Sequence, residues 1–268
     1  MANKTIIGMI AVGLAVVLLV TGLQSAAADK KEVPDFTGVW TVYRVPGESP
    51  FGGFGRPGPA LPLTPEGQRR VADYRKLLGP ENANPAAYCV DYGMPAMMEQ
   101  AGVYPIEFIQ KPDQLTIIYE VEGETRRVYL GERRMPPEKR LPSRQGYSEG
   151  HWEGEVLVVE TTDLSDGQDQ VQHPRSDQAK IVERLSLGTD AKGTKVITYE
   201  MTMTDPVYYT EPIKAQKKWA PLDGLIIPYR CPDEFWLALL DTRREQLKAG
   251  KPADARMSDV YREREVKE

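Results

Sequence analysis

Between residues 104 and 221 the sequence alternates short apolar runs, rich in β-branched and aromatic residues, with turns that contain glycine or proline. The runs cover 106–110, 115–120, 125–130, 147–152, 155–162, 180–187, 195–204 and 213–219. Such residues favour strands, and short strands joined by tight turns indicate an antiparallel meander. Because open sheet edges invite aggregation, a meander of this size is expected to close into a barrel or to stack as a sandwich.

The segments on either side of this region add one more strand and two helices. Residues 36–44 are rich in β-branched and aromatic residues and are predicted to form the first strand. The proline- and glycine-rich residues 46–62 are expected to form a loop. Thr64 and Pro65 suit the N-cap and first position of a helix that runs to about residue 78. Residues 233–249 have the apolar spacing of a C-terminal helix.

The N-terminus has the three parts of a secretory signal. Lys4 supplies a positive charge, residues 6–20 are almost wholly apolar, and three alanines precede Asp29. We therefore expect residues 1–28 to be a signal peptide and the mature protein to be periplasmic or secreted. The alternative is that this segment stays as a membrane anchor. No later segment is apolar enough to span a membrane.

Removal of the signal leaves a length that one domain accounts for. We assign residues 29–250 to a single β-barrel-like domain with flanking helices, and residues 251–268 to a polar C-terminal tail. The formal net charge of −5 argues against a nucleic-acid partner. The sequence contains no motif for a nucleotide, no GxSxG and no HExxH, and it predicts no cofactor.

The two cysteines, Cys89 and Cys231, are expected to form a disulfide, because exported chains meet an oxidising compartment. Both lie at element junctions beside turn-forming residues. The alternative is two free thiols. A metal site is not predicted, because neither cysteine has a partner at ligand spacing.

The order of several motifs resembles a large family of exported bacterial proteins, most of which carry no assigned activity. The motifs are DFTGVW (35–40), LTPEGQ (63–68), CVDYGMPAMM (89–98), HWEGEVLVVETTDL (151–164), HPRSD (173–177), VERL (182–185) and DPVYYTEP (205–212). The resemblance implies an antiparallel, lipocalin-like barrel. Arg175 stands where the family often has a second histidine, and Tyr147 stands near the place of another. These departures argue against a metal or histidine site of the family kind.

Two groups of residues are candidates for a site. The first would bind a ligand: flexible, polarisable methionines suit an apolar molecule, and arginine suits a carboxylate or phosphate. Its members are Tyr92, Met94, Met97, Met98, Arg127, Tyr147 and Tyr208. The second is His173 with Asp177, since a carboxylate that orients a histidine would make a general base. The alternative is ordinary packing for the first group and a solvated loop for the second.

These features favour an exported protein that binds a small apolar or carboxylated molecule in a barrel cavity. A hydrolase, lyase or isomerase on the same scaffold is the first alternative. The second is an envelope interaction module that uses the basic segment 126–144.

Overall fold

The computed structural model describes residues 33–43, 61–78, 90–99, 104–170, 172–227 and 233–256. The expected signal peptide and the expected Cys89–Cys231 disulfide lie outside these residues. The strands are β1 (Gly38–Val42), β2 (Ile106–Lys111), β3 (Gln114–Tyr119), β4 (Thr125–Leu130), β5 (Tyr147–Glu153), β6 (Val156–Thr162), β7 (Gly167–Gln168), β8 (Pro174–Arg175), β9 (Lys180–Thr189), β10 (Lys195–Thr204) and β11 (Ile213–Pro221). The helices are α1 (Pro65–Leu78), α2 (Ala96–Glu99) and α3 (Asp233–Lys248).

Within the described residues, nine strands close a barrel in the order β1-β11-β10-β9-β6-β5-β4-β3-β2. Strand β1 closes it, because it pairs with β11 on one side and with β2 on the other. Strands β7 and β8 form a separate small sheet. The predicted mainly β fold, a lipocalin-like barrel with an N-terminal helix and a C-terminal helix, is confirmed.

One pair of neighbouring strands departs from the predicted antiparallel order: β4 and β5 are parallel. Parallel neighbours need a long crossover between them. Residues 131–146, which include most of the basic segment, supply that crossover and return the chain to the start of β5. The basic segment therefore has a structural role in setting the barrel topology.

The core fills the barrel, since alternate residues of each strand face inward. Its largest fully buried side chains include Trp40, Phe108, Tyr119, Tyr199 and Trp219. The aromatic rings of Tyr199 and Trp219 meet edge to face, with centroids 5.4 Å apart. No helix among the described residues is both long and apolar enough to cross a membrane.

Helix α1 is fixed to the turn after β10. Thr64 is its N-cap, as predicted: the Gly67 backbone N–H donates to Thr64 Oγ1 at 3.1 Å, and this hydroxyl donates to the Val207 carbonyl at 2.6 Å. Gly67 then meets the backbone of Tyr208 so closely that a Cβ would lie 2.4 Å from the Tyr208 carbonyl oxygen. Only glycine permits this approach of helix and turn.

We predict that Gly67→Ala lowers the free energy of unfolding by about 1–3 kcal/mol, although alanine favours a helix more than glycine does. The added methyl group must push α1 away from the turn. Gly188→Ala in β9 is the matched control, because its Cβ would meet no atom of the described residues within 4 Å. Urea denaturation of both variants measures the difference. Equal stabilities for the two variants would contradict the close approach.

Candidate functional site

Three ionisable side chains occupy inward positions on the barrel strands. The inward face of β4 carries Arg126, Val128 and Leu130. By the same alternation, Glu183 of β9 and Lys217 of β11 face the interior. None of these three ionisable residues is more than 4% exposed. Buried charges are costly unless they are paired, so their partners decide what the interior can do.

Arg126 and Glu183 form a bidentate ion pair across the interior. Arg126 Nη1 donates to Glu183 Oε1 at 2.9 Å, and Nη2 donates to Oε2. Arg126 also donates to Ser148 Oγ at 3.1 Å and to Thr161 Oγ1 at 2.9 Å, while Tyr199 donates to Glu183 Oε1 at 3.1 Å. Burial acts to lower the pKa of Arg126, but the charge of Glu183 and its hydrogen bonds raise the pKa above its ordinary value. The guanidinium is therefore a fixed cation.

The methionine-rich segment that leads into α2 packs against the same core. Met94, Met97 and Met98 are completely buried and belong to the cluster formed by the inward side chains of the barrel. The Tyr119 hydroxyl donates to Met98 Sδ at 3.0 Å. The structure thus brings together the three methionines of the candidate ligand-binding group.

Helix α2 ends in a buried carboxyl group, that of Glu99. The Lys217 ammonium donates to the Met98 carbonyl at 2.9 Å and to the Glu99 carbonyl. Neither carboxyl oxygen of the Glu99 side chain has a hydrogen-bond partner in the described part of the structure, and the residue has no exposed surface. Leaving such a group unpaired costs about 1–3 kcal/mol or more, so the arrangement requires an explanation.

The buried environment shifts the pKa of both groups toward neutrality. Burial raises the pKa of Glu99 to about 7, although the nearby Lys217 acts in the opposite direction. Burial likewise lowers the pKa of Lys217 to about 8, against the effect of Glu99. These two groups can therefore change protonation near neutral pH, which separates them from the permanently charged Arg126.

We call the polar side chains of the interior the buried polar cluster: Glu99, Tyr119, Arg126, Ser148, Thr161, Glu183, Tyr199 and Lys217. Its members come from α2 and from seven barrel strands, β3, β4, β5, β6, β9, β10 and β11. Tyr199 and Lys217 are direct partners across β10 and β11, as Ser148 and Thr161 are across β5 and β6. The cluster offers two cations, two acids and four hydroxyl groups. It can bind a polar head group or transfer a proton.

His173 has a carboxylate beside it, but not the one expected. The His173 backbone N–H donates to Asp169 Oδ1 at 2.9 Å, and His173 Nδ1 lies 3.3 Å from Asp169 Oδ2. Asp177 is exposed. Asp169 is therefore the carboxylate that lies beside the imidazole, because the chain reverses between β7 and β8 and brings these two residues together. Both lie outside the buried polar cluster.

Two of the candidate ligand-binding residues lie on the outer face of the barrel. Arg127 is exposed, since the alternation along β4 directs Arg126 inward. Tyr147 stacks on Tyr129, with centroids 5.1 Å apart, and the Arg140 guanidinium lies 4.1 Å from its ring centroid. This stack covers the crossover and is separate from the interior.

The remaining two candidates are Tyr92 and Tyr208. Tyr92 is partly buried at the edge of the core. Tyr208 is buried, and its hydroxyl donates to Asp166 Oδ2 at 2.6 Å, in the turn that holds α1. Asp166 also pairs with Arg70 of α1. Tyr208 therefore packs between α1 and the barrel, away from the buried polar cluster.

One cleft lined by described residues lies on the outer face of the barrel. It has a volume of about 610 Å³ and lies between Tyr43, residues 188–192 and Lys218. The described residues contain no group of three acidic, histidine or cysteine side chains that could hold a metal ion.

Strand parity in the sequence indicates most of the interior polar residues that are not among the predicted site residues. Arg126 has the same strand parity as Val128 and Leu130, and Lys217 has the same parity as Trp219. An ionisable residue that lies two positions from an inward-facing apolar residue of the same strand shares its face, so it is expected to be a buried charge. Opposite charges at such positions on two strands predict an ion pair. Glu99 had no such signal, because α2 has only four residues and no period.

We predict that Arg126→Met lowers the free energy of unfolding by about 3–5 kcal/mol, because it leaves Glu183 buried and unpaired. Arg127→Met is the matched control and is expected to change it by about 0.5 kcal/mol or less. The double variant Arg126→Met/Glu183→Met is expected to recover most of the loss. Urea denaturation measures all three. Equal effects at positions 126 and 127 would contradict the inward pair.

A second prediction concerns pH. Between pH 4.5 and about 7 the folded protein keeps a proton on Glu99 that the unfolded chain has released, so the free energy of unfolding falls as the pH rises. Glu99→Gln removes this dependence. The variant is expected to be more stable than the native protein by roughly 2–3 kcal/mol at pH 7, with the difference vanishing toward pH 4.5.

Denaturation at pH 5, 6, 7 and 8 measures this difference. Burial also raises the pKa of Glu122 to about 7, but that contribution is common to both proteins and cancels. Exposed Glu132→Gln serves as the control and should follow the native profile. A difference between Glu99→Gln and the native protein that does not change with pH would contradict the buried carboxyl.

No protein-family model matches the chain, and comparison with curated proteins finds no similar sequence.

Proposed function

We propose that the protein is an exported small-molecule-binding protein, and that its ligand binds in the barrel interior beside Glu99 and Lys217. The observation that carries this proposal is the fully buried Glu99 carboxyl, which has no hydrogen-bond partner in the described part of the chain. A buried polar group without a partner is rare in a structure selected for stability alone. A ligand that bonds to this group would remove its cost.

The chemistry around Glu99 favours an apolar or carboxylated ligand. Lys217 has three donors, and two of them go to the carbonyl groups of Met98 and Glu99. The third can donate to a ligand carboxylate, and a protonated Glu99 can donate a second hydrogen bond to it. Met97, Met98 and Trp219 provide apolar surface for the rest of the molecule.

The methionine segment is the part of the wall best suited to make room. Methionine side chains are unbranched and flexible, so they repack around different shapes. The strands on the other sides are held by ladder hydrogen bonds, whereas residues 90–95 belong to no strand. A ligand would therefore displace methionine side chains and not the barrel.

The N-terminal sequence and the motif order support the exported location. A basic residue, an apolar stretch and a small-residue cleavage site are the parts of a secretory signal. The motifs resemble those of exported bacterial proteins with a lipocalin-like barrel. In other proteins, barrels of about eight strands are either filled by side chains or hold one small ligand, as lipocalins do.

An enzyme acting in the same interior is the second candidate. It is favoured by the pKa values of Glu99 and Lys217, near 7 and 8, because general acids and bases work best close to the ambient pH. A hydrolase, lyase or isomerase would change a small molecule that enters the barrel. A binding protein would release the same molecule chemically unchanged.

The test compares a fluorescent long-chain fatty acid with the alcohol of the same chain length. We expect the native protein to bind the acid about tenfold more tightly, because of Lys217. Lys217→Met should abolish this preference. Lys218→Met should keep it, because Lys218 faces outward in the next position of β11.

Native mass spectrometry of protein purified without detergent gives a second measurement. A bound small molecule released unchanged supports the binding function, and a chemically altered one supports the enzyme. No bound mass, together with no saturable binding of either probe, would overturn both.

A further inference from the structure

Two arginines lie side by side at the small sheet β7–β8. Arg175 of β8 is paired in register with Gly167 of β7. Arg144, from the crossover before β5, donates through Nε to Asp91 Oδ1 at 2.6 Å. Arg175 donates through Nε to the Ser165 carbonyl at 3.1 Å and through Nη1 to the Met94 carbonyl. Both guanidinium groups are therefore held in place.

One guanidinium nitrogen of these two arginines has no hydrogen-bond partner among the described residues. Arg175 is only 4% exposed, and its Nη2 has no hydrogen-bond partner in the described part of the chain. A buried guanidinium nitrogen normally donates to an oxygen, because an unpaired one loses its hydration without compensation.

The unpaired nitrogen faces a small space over Gly167. A Cβ built on Gly167 would lie 3.7 Å from Arg175 Nη2 and 3.8 Å from Arg144 Nη1. Among the described residues, no other heavy atom beyond the chain neighbours of Gly167 lies within 4 Å of that point. Both nitrogens therefore lie on the side of Gly167 where another residue would carry its side chain.

We propose that Arg144 and Arg175 bind an oxyanion, a carboxylate or a phosphate group, in the space over Gly167. Arginine is the side chain best matched to such groups, because its planar donors can bond to two oxygens at once. The absence of a side chain at Gly167 leaves the anion room. The site is separate from the barrel interior, so it stands or fails independently of the proposed function.

Each neighbouring carboxylate already lies against another side chain. The positive charge of Arg175 therefore has no carboxylate of its own among the described residues. Asp91 pairs with Arg144, Asp166 pairs with Arg70, and Asp169 lies beside His173. Burial and the adjacent charge of Arg144 lower the pKa of Arg175 to about 10, so it stays protonated at neutral pH. A bound anion would offset the repulsion between the two cations.

Gly167→Ala tests the site without removing a charge. The new methyl group would make only ordinary contacts with the two arginines, and Gly167 has no positive φ, so the fold should tolerate it. The methyl would occupy the space of the anion. Gly188→Ala is the control, because it adds the same methyl group to open space on another strand.

The melting temperature and calorimetric binding are measured in sodium phosphate and in sodium acetate, against sodium chloride at matched ionic strength. We expect one or both oxyanions to stabilise the native protein and Gly188→Ala, and Gly167→Ala to bind about tenfold or more weakly. A response to acetate alone identifies a carboxylate site, and a response to phosphate alone a phosphate site. No response of the native protein, or an unchanged response of Gly167→Ala, would overturn the proposal.

Discussion

The ion pair between Arg126 and Glu183 is the interaction on which the barrel register depends. The two residues lie on β4 and β9, which are separated in the sheet by β5 and β6, so the pair links strands that share no ladder. A slip of β4 that brings Thr125 to the position of Arg126 would leave Glu183 buried without a partner, and the opposite slip would turn Val128 and Leu130 outward. Breaking a buried pair costs several kcal/mol, which is a large share of the stability of an ordinary domain.

The interior also contains a second pair of ionisable groups, Glu99 and Lys217, whose hydrogen bonds within the described residues are incomplete. Arg126 and Glu183 bond to each other and to three hydroxyl groups, whereas the carboxyl of Glu99 makes no hydrogen bond within the described residues. A fully bonded polar network makes a core more rigid, and a partly bonded one costs stability. Because the two halves share one core, the satisfied half can hold the barrel in shape while the other half remains available to a ligand. This division is typical of sites where stability is traded for function.

The sequence predicted the barrel well because its strands carry a local signal. Residues 125–130 and 195–204 were assigned to strands with the bounds that the structure has, since their apolar positions alternate. Strands β7 and β8 have two residues each and contain glycine and proline, so they were not predicted. Their pairing comes from the reversal of the chain and from contacts made by Arg175, which no local pattern encodes. The parallel pairing of β4 with β5 also depends on the path of a long crossover.

The site was harder to predict than the fold for a related reason. The candidate Arg127 lies one residue from the inward-facing Arg126, and one residue reverses the face of a strand. The parity of Val128 and Leu130 indicates which of the two arginines faces inward. By contrast, no local pattern could have placed Glu99 beside Lys217, because this pair joins segments 118 residues apart whose relation is set only by the tertiary fold.

The segment that carries the methionines is also the physical connection between the two proposed sites. The Met94 backbone N–H donates to the Arg144 carbonyl at 2.9 Å, and the Met94 carbonyl accepts a hydrogen bond from Arg175 Nη1. Four and five residues further on, the Met98 and Glu99 carbonyl groups accept hydrogen bonds from Lys217. A ligand that enters the barrel by moving this backbone must break these hydrogen bonds or carry both arginines with it. Movement of the methionine side chains alone keeps them, so side-chain repacking is the less costly way to open the interior.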